Sequence, residues 1–106
     1  MDKRDLDLSS NMLYAELLIG VILYKSSSEL TVPAIKNIPV CRMYSEEYIN
    51  KIISDLISYG LIIPHICSTA GFAYSITEFG VYYYNKLSEE NSDINAMMIQ
   101  IEGELK

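Results

Sequence analysis

The stretch from Tyr44 to Leu87 constrains this chain more than any other. Ser45 offers a hydroxyl that caps a helix, and Glu46 and Glu47 follow in the first turn, where carboxylates suit the positive end of the helix dipole. Tyr44 and Ile49 stand where a hydrophobic staple places them. Ile49, Ile52, Ile53, Leu56 and Ile57 recur at helical spacing and predict one apolar stripe. Glu47, Lys51, Ser54 and Ser58 fall on the opposite side, flanked by Tyr48, Asn50 and Asp55. Gly60 supplies a left-handed stop. Leu61-Ile62-Ile63 and Phe72 to Ile76 then predict two strands joined by a loose loop, Pro64 to Gly71. Thr77 caps a further helix that runs to about Leu87.

Upstream, Ser9 or Ser10 offers a cap for a helix over Met12 to Tyr24. That segment is apolar almost all the way round, so it must be covered on every side. A partner subunit is the simplest cover in so short a chain. Leu30-Thr31 suits a very short strand, and Pro33 suits the first turn of a short helix ending before Pro39. After a break at Asn91 to Asp93, the residues Ile94, Met97, Met98, Ile101 and Leu105 make a one-sided stripe. With Leu13 and Leu17 from the first helix, this stripe predicts a dimer seam.

At 106 residues, half of them apolar, a single domain over 1–106 is expected. The start, Met1-Asp2-Lys3-Arg4-Asp5-Leu6-Asp7, does not resemble a signal peptide, and the longest apolar run is too short to span a bilayer. A cytoplasmic protein without membrane contact is expected. Cys41 and Cys67 form no Cys-x-x-Cys pair, and His65 is the sole histidine, so no metal site is predicted. Arg42 beside Cys41 leaves a redox role open for that thiol. A glycine-rich phosphate loop is missing, and His65 has no evident catalytic partner; an enzyme and a cofactor are not expected.

The net charge of −6 is uneven. Residues 25–86 hold five bases and five acids, so the acidity belongs to the two ends. A neutral centre permits contact with nucleic acid without advertising it.

The layout resembles winged helix–turn–helix regulators, particularly the PadR and MarR types, over roughly residues 12–88. Ser58-Tyr59-Gly60-Leu61-Ile62, with Leu56 before it, is similar to the Leu-x-x-x-Gly-Leu-Ile end of that family's recognition helix. Tyr74-Ser75-Ile76-Thr77-Glu78-Phe79-Gly80 is similar to its Tyr-x-Leu-Thr-x-x-Gly junction, with Ile76 in place of the leucine. The resemblance implies an α+β, mostly α fold with a two-stranded wing and a terminal dimerisation helix, about 92–105. It also implies a homodimer that sets the helix after Ser45 into the major groove of double-stranded DNA. Unlike DNA-contacting wings, this one carries no Lys or Arg near its tip.

On that expectation Lys36, Arg42 and Lys51 face phosphate, and Ser45 and Tyr48 bond its oxygens, beside Tyr44. Asn50 suits adenine, Glu47 cytosine and Arg42 guanine. The alternative expectation is an acidic protein-interaction module that no longer binds DNA and docks on a nucleoprotein or regulatory complex.

Overall fold

The computed structural model describes residues 12–67 and 71–105. The fold is α+β and mostly helical, with one small antiparallel sheet. In chain order the elements are α1 (Tyr14–Lys25), β1 (Leu30–Thr31), α2 (Val32–Lys36), a 3-10 turn (Pro39–Cys41), α3 (Glu46–Ser58), β2 (Ile62–Cys67), β3 (Gly71–Ile76), α4 (Glu78–Glu90) and α5 (Ser92–Glu104). The sheet order is β1-β3-β2, with Ile62 opposite Ile76 and Leu30 opposite Tyr74.

Helix α1 is the centre of the molecule. Ile19, Val21 and Ile22 are wholly buried, and α3, α4, α5 and β3 all pack on it. Most of its apolar circumference is therefore covered within one chain, where a second subunit was the expected cover; Tyr14 stays exposed, and Leu17 and Tyr24 are half-buried. The same holds for much of the predicted seam. Ile94, Met98 and Ile101 lie inside the protomer's own core. Leu17, Met97 and Leu105 are half-buried, and Leu13 is exposed.

The cap of α1 also differs from expectation. Ser9 and Ser10 lie outside the described residues, and Leu13 is the N-cap. The Glu16 carboxylate reaches back to accept from the Leu13 N–H at 2.8 Å, which is the glutamate half of a capping box. Glu16 is only 2% exposed, and its other oxygen accepts from the Tyr59 hydroxyl at 3.2 Å. Burial pushes this carboxyl above the usual carboxylate range; the Leu13 N–H opposes that shift and neighbouring Asp55 adds to it. Protonation thus favours the folded state. The group's contribution is fully present below the unfolded pKa of about 4.3 and is lost as pH rises through the higher folded value. Glu16→Gln removes the charge, keeps an acceptor for the Leu13 N–H, and donates its amide N–H to the Tyr59 oxygen in place of accepting from it. Between neutral pH and about pH 5, the wild type is expected to gain melting temperature relative to Glu16→Gln. A gap that stays constant over that range would contradict this account.

Helix α3 ends as its sequence requires. Gly60 takes φ +80°, its N–H donates to Ile57 O, and the Leu61 N–H donates to Leu56 O. These two bonds are a Schellman stop. The strand that follows is longer than expected, because Pro64 to Cys67 belong to β2 and not to a loop. Pro64 is tolerated there because β2 is an edge strand, where a missing N–H need break no ladder bond.

Thr77 locks the hairpin to α4. Its Oγ1 accepts from the Gly80 N–H at 2.9 Å and donates to Gly60 O at 2.7 Å. Its N–H donates to Leu61 O at 3.0 Å. The end of α3, the base of the hairpin and the start of α4 are thus fixed at one point. Asn91 caps α5 through Oδ1, bonded by the Asp93 and Ile94 N–H groups.

Candidate macromolecule-binding face

The face is built on α3. Ser45 Oγ accepts from the Tyr48 N–H at 3.1 Å, fixing the first turn. Ile49, Ile52, Ile53 and Leu56 are buried, so the helix cannot rotate about its axis without exposing its apolar stripe. Ile57, expected in that stripe, lies at its margin and is 37% exposed. Glu46, Glu47, Asn50, Lys51, Ser54 and Ser58 are all exposed. This leaves a rigid helix with one bare polar side.

Of the three predicted phosphate contacts, two are involved in building the turn before α3. Lys36 Nζ donates to Tyr44 O at 2.6 Å and to Arg42 O at 3.3 Å. Arg42 Nε donates to Asn37 O at 3.2 Å. These bonds satisfy carbonyls where the chain reverses between α2 and α3, and they gather Lys36, Arg42, Tyr44 and Ser45 at one end of the helix. A guanidinium has five donors, and only Nε is committed by that bond. Lys51 sits on the bare side and pairs with Asp55 at 3.2 Å. Tyr44 and Tyr48 are half-buried, with ring centroids 5.2 Å apart.

Cys41 is not poised for redox chemistry. It is wholly buried, and burial, helped by the Glu104 carboxylate, pushes its thiol up to about 11. The Arg42 side chain, expected to lower that value, is turned to Asn37.

The hairpin stands beside α3. Pro64, His65 and Ile66 in β2 are exposed in succession, so both faces of the ribbon meet solvent there. Ile66 opposes Phe72, and they are 87% and 52% exposed. His65, the hairpin's single ionisable base, is tied at its root: Nε2 lies 2.7 Å from Ser75 Oγ, and Nδ1 lies 3.8 Å from a Glu29 oxygen. Between hairpin and helix runs an open groove lined by Val32, Pro33, Glu46, Asn50, Phe72 and Tyr74. Sequence reasoning missed this groove. Its signal was present as large apolar residues at alternate positions of an uncharged hairpin.

Tyr14, Leu17, Ile94 and Met97 line a second groove between α1 and α5. Among the described residues, no cluster of three His, Cys, Asp or Glu side chains is placed to hold a metal ion, and no helix is long and apolar enough to cross a membrane.

No protein-family model, curated protein or solved structure matches the chain.

Proposed function

We propose that this protein is a winged-helix regulator that binds double-stranded DNA through α3. One observation carries the reading: α3 is clamped on one side by the core and bare on the other, and the bare side presents Glu47, Asn50, Lys51 and Ser54. A helix held in that way, preceded by a short helix and a turn, suits entry into a major groove. Arg42 and Ser45 at its start supply phosphate contacts, and Asn50 suits an adenine edge. The hairpin contributes little charge to this contact, since residues 62–76 contain no Lys or Arg. A homodimer, joined at the α1–α5 groove through Leu13, Leu17 and Met97, would supply two such helices.

With Arg42 and Lys51 as the main phosphate contacts, a dimer neutralises about four charges, and log K falls with log salt at a slope of about −3.6. The test is selection of duplexes from a random-sequence library, followed by affinity measured across a salt series. Arg42→Ala and Lys51→Ala are each expected to flatten the slope and to weaken all sequences alike. Absence of any enriched duplex, or an affinity indifferent to salt, would overturn the reading.

A second reading, a protein-docking module, is favoured by the groove beside α3. A duplex that received α3 in its major groove would run a phosphate strand near this groove, and its lining offers the Glu46 carboxylate and no cation.

A further inference from the structure

We propose that the groove between α3 and the β2–β3 hairpin is a docking site for a short segment of a partner protein that carries a Lys or Arg beside a large apolar side chain. The proposal goes beyond the DNA reading and does not depend on it.

The apolar half of the site is built from two elements. Phe72 and Tyr74 are on the same face of β3, two residues apart, and Val32 and Pro33 open α2 across from them. Phe72 is 52% exposed, and its cross-strand neighbour Ile66 is 87% exposed. Two large apolar side chains held together on an exposed ribbon are an unusual thing to leave in water. Aromatic side chains held on a paired strand lose little further freedom on binding, which suits them as anchors.

The charged half is Glu46. It lines the groove from the first turn of α3 and is exposed, whereas Glu47 lies outside the lining, on the bare side of the helix. The helix N-terminus carries roughly half a positive charge, which offsets only part of this carboxylate. Lys36 and Arg42 at the same end of the helix are bonded to carbonyls of the preceding turn and do not line the groove. The hairpin across the groove adds no Lys, Arg, Asp or Glu. A negative rim beside an apolar wall complements a cation next to an apolar group. Asn50, also in the lining, can bond the segment's backbone through its amide. A phosphate backbone fits the same groove poorly, because it would meet Glu46 and no cation.

The test is panning of a random peptide display library on the purified full chain, followed by fluorescence anisotropy with an enriched peptide. Enriched peptides are expected to pair Lys or Arg with Leu, Ile, Met, Phe or Trp. Glu46→Gln and Phe72→Ser are each expected to weaken the enriched peptide tenfold or more. Ile99→Ser, at an exposed position on α5, is expected to leave it unchanged. Melting curves show whether each variant is folded, and amide shifts of Asn50 and Phe72 in the wild type give a readout independent of mutation. Failure to enrich, enrichment without basic residues, or binding indifferent to both substitutions would overturn the proposal. So would a random-sequence DNA duplex that shifts the Phe72 amide and displaces the peptide. Loss of DNA binding with peptide binding intact would refute only the DNA reading.

Discussion

Gly80→Ala is expected to destabilise the protein by about 3 kcal/mol or more, a loss of about 15 °C in melting temperature for a domain of this size. A Cβ at this position would overlap the Leu61 carbonyl oxygen and lie 2.7 Å and 2.8 Å from Ile76 side-chain carbons. Side chains can yield by changing rotamer, but Leu61 O cannot move freely. It accepts from the Thr77 N–H at 3.0 Å and from Thr77 Oγ1 at 3.1 Å. Relief would therefore break the joint at which α3, the hairpin and α4 meet. The hairpin would lose its fixed position beside α3, and the groove with it. Gly103→Ala is the matched control. A Cβ at Gly103, inside α5, would meet nothing within 4 Å. That substitution should raise the melting temperature, because alanine is the better helix former by about 1 kcal/mol. Thermal melts of the two variants decide the matter; equal effects would remove the steric argument.

The Thr77-x-x-Gly80 signal was legible because both of its reasons are local. A hydroxyl caps an N–H three residues on, and a missing Cβ admits a neighbouring carbonyl. Helix α3 was legible for the same kind of reason, from the Ser45 cap through the isoleucine stripe to Gly60. What the sequence left open was which surface covers which. An apolar circumference on α1 states that burial occurs, not whether a second chain or the same chain provides it. The stripe at Ile94, Met98 and Ile101 raised the same ambiguity, and the fold places it inside. Pro64 looked like a loop residue because the position of a strand within a sheet is not written locally. Lys36 looked like a phosphate ligand because its acceptors, the carbonyls of Arg42 and Tyr44, are brought near only by the turn. Glu16 gave no warning of its burial. Its neighbours Tyr59 and Asp55 come from the far end of α3. The winged-helix resemblance pointed to α3 and away from the hairpin groove, since it directs attention to wing cations that are missing here.

Gly20→Ala is expected to destabilise the protein by about 3 kcal/mol, and Tyr84 is the reason. A Cβ at Gly20 would overlap Tyr84 Oη and Cζ and lie 2.9 Å from Cε2. The ring cannot retreat. Tyr84 is wholly buried, its hydroxyl donates to Glu16 O at 3.3 Å, and the Tyr83 ring meets it edge-on at 5.4 Å. Gly20 is thus the notch in α1 that seats the α4 tyrosine and sets how closely the two helices approach. A double-mutant cycle separates this from a general intolerance of change. Tyr84→Leu removes the atoms that collide and is expected to cost about 2–4 kcal/mol, for the cavity and the lost hydroxyl bond. In that background the notch has no occupant, so Gly20→Ala should be nearly neutral, or stabilising by up to about 1 kcal/mol through helix propensity. The coupling between the two sites would then be about 3 to 4 kcal/mol, at or just above the upper end for residues in contact. Additive losses would mean that the ring is free to move and that the spacing of α1 and α4 is set elsewhere. Since α4 begins at the Thr77 joint, that spacing also fixes the hairpin against α3. Loss of the notch should weaken any ligand of the hairpin groove in step with the loss of stability.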